Sequence, residues 1–391
     1  MNTFFSADYI VPVTGEAVKN GVVEVTENGV IVELYAPDNP ALSGKKIVRH
    51  KGIIVPGFVN AHCHLELSNM IGAIPRRTGL VPFLEQVISG RAADSSELEQ
   101  AMEKADQQLY SNGIVAVGDH VNSVISAPIK ARSKIHYHTF VEALGFEPEL
   151  AQQKFAEALA IAAQFEDKST SITPHAPYSV SKELYKLLHE EAIKRNMPLS
   201  IHNQESEEEN RLFRYKTGQF LDFYTFLRKD ISSFKAQARN SLQTVMSYLS
   251  PRTPVMLVHN TYTSAKDIFF IERQERNITW CFCPNANLYI EGNLPKIQNF
   301  TQFHHKIVIG TDSLASNDRL CILAELKTIH EHFPELPLTE TIKWATINGA
   351  VFLGTSDQHG SLEKGKRPGL NLLKNTNGLA ITADTEVFRL I

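Results

Sequence analysis

Eight apolar segments with the β-branched character of buried strands recur along the chain, at residues 53–59, 114–117, 135–141, 171–173, 199–201, 255–258, 278–282 and 307–309. Stretches with helical spacing lie between them, for example at 96–109, 149–165 and 182–195. Apolar runs of this length read as strands covered on both faces, and parallel strands need long crossover connections. Repeated strand–helix alternation therefore predicts an α/β fold, a (β/α)8 TIM barrel rather than an open sheet. At 391 residues the chain has room for that barrel and a small appendage.

The appendage is expected from both chain ends. Short alternating stretches at 21–25 and 30–34 precede the barrel, and similar pieces at 370–373 and 378–381 follow it. Residues 1–56 and 359–391 are thus expected to meet in one composite β-sandwich domain, with the barrel spanning 57–358. The connection between the fifth and sixth strands, roughly 206–253, is long for a barrel and carries the aromatic run 220–227. That run reads as core, as a lid over the barrel mouth, or as a subunit contact.

A formal net charge of −4 with no basic stripe argues against a nucleic-acid partner. No stretch of ~18 uninterrupted apolar residues occurs, so no membrane-spanning helix is expected. The first residues lack the basic and apolar regions of a signal peptide. Cys63, Cys281, Cys283 and Cys321 do not have the spacing of a disulfide scaffold, and Cys281-x-Cys283 without a second pair is a weak zinc signal. Reduced thiols and a cytoplasmic location are the expectation.

Barrel active sites lie at the C-terminal ends of the strands, and here those ends are polar. The first leads into His62-Cys63-His64, where residues two apart on an extended strand share a face. The fourth ends in Pro174-His175-Ala176-Pro177-Tyr178-Ser179, the fifth in His202-Asn203-Gln204-Glu205, the sixth in His259-Asn260 and the eighth in Gly310-Thr311-Asp312-Ser313. A catalytic metal wants nitrogen and oxygen ligands with one position open for water. His62, His64, His202 and Asp312 supply three imidazoles and a carboxylate for one divalent ion, zinc in the first place and iron(II) as the alternative. Asp312 can also take a proton from water, His259 can orient that water, and Glu205 can carry the proton onward. A dinuclear hydrolase usually adds a carboxylated lysine at the fourth strand, where this chain has His175. Cys63 is left a packing role.

In this order the runs Pro56-Gly57-Phe58-Val59-Asn60-Ala61-His62-Cys63-His64, Pro174 to Ser179, His202-x-x-Glu205, Val258-His259, Cys283-Pro284-Asn285-Ala286-Asn287 and Gly310 to Ser313 resemble the amidohydrolase superfamily. The resemblance covers nearly the whole chain, in the cytosine-deaminase-like and chlorohydrolase-like branch. The ending around Gly365-Lys366-Arg367-Pro368-Gly369-Leu370 fits too, although the family usually has Ala-Asp where Pro368-Gly369 stand. The resemblance implies hydrolytic deamination of an amino-substituted heterocycle, with metal-activated hydroxide attacking the amine-bearing carbon and ammonia leaving. Residues 310–317 look most similar to the adenosine-type deaminases that act on S-adenosylhomocysteine, methylthioadenosine or aminodeoxyfutalosine. It also implies that His175 contacts the base and that a glutamate after the first strand holds the ribose hydroxyls, for which Glu85 is the nearest candidate. A homodimer is common among similar proteins.

Other polar residues face the predicted mouth. Asp119, His120 and Glu142 at the second and third strands are candidate substrate contacts or rim structure. Asn287 caps the substrate or braces its loop, and Arg76 and Arg77 either meet a carboxylate-bearing tail or sit in solvent. Two other readings stay open: the same fold hydrolysing guanine, a chlorinated triazine or a cyclic amide, and a non-catalytic barrel serving as a scaffold.

Overall fold

Gly57 divides what reads in sequence as one strand. In the computed structural model, which describes residues 2–90, 95–166, 169–302 and 306–391, Ile53–Pro56 and Phe58–Cys63 are separate strands in different sheets. A Cβ at position 57 would lie 2.3 Å from Val115 Cγ1 and 2.5 Å from the Pro368 carbonyl oxygen, so only glycine lets the chain turn here. The expected first barrel strand at 53–59 is therefore corrected. Its first half pairs with the C-terminal segment, and the strand that leads to the histidines starts at Phe58.

Among the described residues, eight parallel strands form two four-stranded sheets. One contains Phe58–Cys63, Ile114–Val121, His136–Ala143 and Thr170–Pro174; the other contains Leu199–Asn203, Val255–His259, Ile278–Phe282 and Lys306–Ile309. Nearly every residue in them is buried, as expected when helices cover one face and a packed interior the other. Hydrogen bonds cross both gaps between the sheets. His202 N donates to the His175 carbonyl at 3.0 Å, and Thr311 N and Asp312 N donate to the His62 carbonyl at 3.0 and 3.1 Å. These crossings lie at the strand ends that carry the polar residues.

The two chain termini share a sheet. Leu370–Lys374 pairs antiparallel with Ile53–Pro56, Glu386–Arg389 forms one edge, and Tyr9–Ile10 and Val18–Lys19 the other. A second sheet of Thr3–Ser6, Val22–Val25, Ile31–Tyr35 and Ile47–Arg49 joins it through an apolar cluster that includes Ile10, Val23, Ile31, Ile54 and Leu372. The expected strand at 378–381 is corrected: Asn377 and Ala380 close a tight turn, and the final strand is Glu386–Arg389.

The 206–253 connection is largely helical, with Glu207–Tyr215, Phe220–Phe226 and Ser241–Met246. Phe213, Phe220, Phe223 and Tyr224 pack against Phe83 and Tyr178 in an apolar roof over the strand ends. No helix among the described residues is long and apolar enough to cross a membrane. All four cysteines are buried and unbridged.

Candidate metal centre and substrate cavity

The strand ends bring their imidazoles to one point. His64 Nε2 lies 3.3 Å from His202 Nε2, and Asp312 Oδ1 lies 3.5 Å from His62 Nε2 and 3.6 Å from His64 Nε2. Two donors each 2.1 Å from an ion and at a tetrahedral angle are about 3.4 Å apart, so this spacing is that of ligands around one cation. Neither ring nitrogen of the fully buried His62 has a hydrogen-bond partner among the described residues. Such an arrangement is costly without an ion and favourable with one. The residues present thus fit a divalent metal.

Hydrogen bonds fix how the rings present themselves. His202 Nδ1 lies 2.9 Å from the His175 carbonyl, which can only accept, so Nδ1 carries the hydrogen and Nε2 turns its lone pair to the site. His259 Nδ1 lies 2.9 Å from Asn287 Oδ1, which leaves His259 Nε2 facing Glu205 Oε1 at 3.7 Å. Ser316 donates to Asp312 Oδ2, so Oδ1 is the oxygen aimed at the histidines.

Charge states follow from burial and neighbours. Burial lowers the pKa values of His62, His202 and His259, and for His202 the adjacent imidazoles lower it further, which favours the neutral rings. For Asp312 burial opposes ionisation, yet His62, His259 and His64 hold its carboxyl well below the usual carboxylate range. Glu205 goes the other way: burial, then the charge of Asp312, push it well above that range. The two carboxyls on the cavity are thus pushed in opposite directions, Asp312 toward the charged form and Glu205 toward the protonated one.

The backbone is strained around the same point. Gln204, His259, Asn260 and Asp312 adopt left-handed φ values of 44°, 72°, 57° and 57°. Non-glycine residues there cost on the order of 1–2 kcal/mol each, and such strain concentrates at functional sites.

A cavity of about 240 Å³ opens on this cluster, and His64, His175, His202, Glu205, His259 and Asp312 reach it. The structure brings together the residues expected at the first, fourth, fifth, sixth and eighth strand ends. Others lie elsewhere. His120 sits beneath the cluster, its ring 4.2 Å from that of His62 and its Nε2 2.8 Å from Ser200 Oγ, and it does not line the cavity. Asp119 is held in a buried ion pair with Lys130 at 2.6 Å and accepts from Leu65 N. Asn287 is buried behind His259 rather than over the cavity. Glu85 is also outside the lining, because the helix Leu80–Gly90 turns Leu84, Val87 and Ile88 inward instead. Arg76 pairs with Asp318 and covers Tyr289, away from the cavity.

Sequence reasoning missed Ser316 and Asn122. Ser316 follows Asp312 by four residues, a spacing that could have flagged it. Asn122 lines the cavity and donates to Glu142 at 3.0 Å, and Glu142, within the third strand, lies 3.6 Å from His202 Nδ1. Glu142 was expected at the mouth and lines the cavity, whereas no local pattern announces its partner Asn122.

Imidazoles and a carboxylate converging at the C-terminal ends of parallel strands, beside a buried glutamate, define a metal-dependent hydrolase. The chain belongs to the amidohydrolase family, whose profile matches residues 53–388. It is accordingly a hydrolase acting on carbon–nitrogen bonds. It is similar to a protein named adenosine deaminase from Helicobacter pylori, 27% identical over 326 residues, covering 82% of this chain and 78% of that one. It also superposes on the crystal structure of Helicobacter pylori aminofutalosine deaminase in complex with methylthio-coformycin, with a TM-score of 0.83, 22% identity and full coverage of both chains. An adenosine deaminase from Xanthomonas campestris with bound zinc gives a TM-score of 0.75 at 21% identity, covering 95% of this chain and 84% of that one.

Proposed function

We propose that the protein is a hydrolytic deaminase of adenosine-type nucleosides, with one metal ion held by His62, His64, His202 and Asp312. The observation that carries the reading is the ligand-like spacing of these donors at 3.3–3.6 Å, with Glu205 and His259 beside them on the cavity. A divalent ion there, zinc first and iron(II) second, supplies the Lewis acidity that brings the pKa of water from 15.7 toward about 7. Asp312 is the group that accepts the first proton from the attacking water. His259, its tautomer set by Asn287, orients that water through Nε2. Glu205, whose pKa burial raises, gives a proton to the ring nitrogen; the proton taken up by Asp312 passes to the amine, which leaves as ammonia, and the proton of the added hydroxyl returns to Glu205 as the carbonyl forms. His175, whose Nδ1 is 2.8 Å from Ser179 Oγ, is assigned to the edge of the base.

The nucleoside assignment is supported by relatives of that name and by the methylthio-coformycin bound to the Helicobacter pylori enzyme. Methylthioadenosine, S-adenosylhomocysteine and aminodeoxyfutalosine are the candidate substrates. We further read the two parallel sheets as one closed (β/α)8 barrel of residues 57–358, and residues 1–56 and 359–391 as a composite β-domain. The reading is tested by ammonia release over those three nucleosides with adenosine, adenine, guanine and cytosine. Release from nucleosides supports it; silence on all nucleosides, with or without turnover of adenine, guanine or cytosine, overturns it.

A further inference from the structure

A second cavity, of about 620 Å³, opens where the second and third parallel strands begin, at the end opposite the metal donors. Val115 lies at the start of Ile114–Val121 and His136 opens His136–Ala143, and no residue lines both cavities. Five nitrogen-bearing side chains reach it: Lys134 and His136 from the third strand and its approach, and His359, Arg367 and Arg389 from the C-terminal segment. Tyr110 gathers two of them, with the Arg389 guanidinium 3.8 Å and Lys134 Nζ 5.2 Å from its ring centroid. Arg389 Nη1 donates to the Tyr110 and Ile114 carbonyls at 3.3 and 3.2 Å, which holds the guanidinium in place. The His136 and His359 rings stand 6.3 Å apart.

No Asp or Glu lines this cavity. Among the described residues none of the five forms an ion pair with a carboxylate, that of Ile391 in the lining included. Asp357 acts on both imidazoles and Glu166 on His136, but neither reaches the lining. Positive charge prevails even so: burial first, then His136, with Arg367 and Arg389 in the same direction, holds the His359 pKa down to about 4. Cations gathered without a counter-charge repel one another, and a multiply charged anion among them relieves that repulsion. Guanidinium and ammonium groups match phosphate oxygens, and an enclosed space of this size suits a small molecule. We propose that this cavity binds a phosphate-bearing small molecule of two or more negative charges, with Lys134, Arg367 and Arg389 around its phosphate oxygens. Such a ligand ties the start of the third strand to the C-terminal segment, far from the metal centre.

The test is calorimetric titration of the metal-loaded protein with ADP in phosphate-free buffer, with inorganic phosphate and adenosine as competitors. ADP should bind, inorganic phosphate should displace it, and rising ionic strength should weaken it. A hydrogen bond to a charged group is worth about 10-fold or more in Kd. Lys134→Ser and Arg367→Ser, both at exposed positions, should therefore each weaken ADP binding about 10-fold or more, with metal content at the wild-type level. Without ligand, both variants should keep a thermal midpoint at or above that of the wild type, because each removes one of the crowded cations. No binding of ADP, binding that both variants retain, or displacement by adenosine and not by phosphate overturns the assignment. A fall in the ligand-free midpoint of both variants overturns it as well, since the cations would then serve the fold and not a ligand.

Discussion

Replacing Asn287 with Leu keeps the side-chain volume and removes the acceptor that His259 Nδ1 meets at 2.9 Å. Both groups are buried, at 1% exposure each, so no water takes the vacated place and the ring N–H is left unsatisfied. A buried polar group deprived of its partner costs about 1–3 kcal/mol, which a urea midpoint reads directly. The catalytic loss has a separate origin: without Asn287 the imidazole can rotate or change tautomer, and Nε2 no longer faces Glu205. Loss of such an orienting partner typically costs about 10–100-fold in activity. The assay is kcat/KM for ammonia release, with metal per chain measured by elemental analysis on the same preparation. The account predicts reduced kcat/KM with metal content at the wild-type level, because His259 orients water and does not ligate. A kcat/KM within twofold of wild type refutes the orienting role, and loss of the ion would make His259 a ligand instead.

Glu205→Gln should retain the metal and lower turnover by about 10²–10⁴-fold; activity near wild type would remove Glu205 from proton transfer. Gly57→Ala forces a Cβ to within 2.5 Å of the Pro368 carbonyl and 2.3 Å of Val115, so the thermal midpoint should fall by the equivalent of about 1–3 kcal/mol or more, and an unchanged midpoint contradicts the proposed crowding. Burial raises the Glu209 pKa to about 8, against an ordinary value of 4.5, so the folded chain holds a proton there that the unfolded chain releases. That contribution to stability is complete below pH 4.5 and declines by roughly 1.4 kcal/mol per unit as pH rises toward 8. Glu209→Gln should therefore flatten the pH dependence of the urea midpoint over this window, and parallel profiles for the two proteins would contradict the raised pKa.

The donor set was legible in the sequence because its chemistry tolerates few substitutes. A divalent ion would demand imidazole and carboxylate, and each candidate donor stands at the end of an apolar strand that periodicity alone reveals, as at His62, His202 and Asp312. The parallel strands were legible for the same reason. What escaped depends on contacts between distant segments. Residues 53–59 read as one strand because both halves are apolar, and the division at Gly57 is imposed by Val115 and Pro368. Glu85 and Leu84 differ by a rotation of about 100° on one helix, and packing against the roof decides which of them faces the cavity. The partnership of Asn287 with His259 spans 28 residues and leaves no local trace. The turn at Asn377 and Ala380 mimics a strand in composition, whereas the true terminal strand Glu386–Arg389 alternates exposed and half-buried residues at a sheet edge.

The most direct test of the central claim is a metal titration followed by ammonia release from methylthioadenosine. Chelator-treated protein should be inactive and should regain full activity with one equivalent of zinc or iron(II) per chain, and His64→Ala should abolish that recovery. Activity that survives complete removal of the ion, or that needs two equivalents to return, would contradict a single ion held by His62, His64, His202 and Asp312.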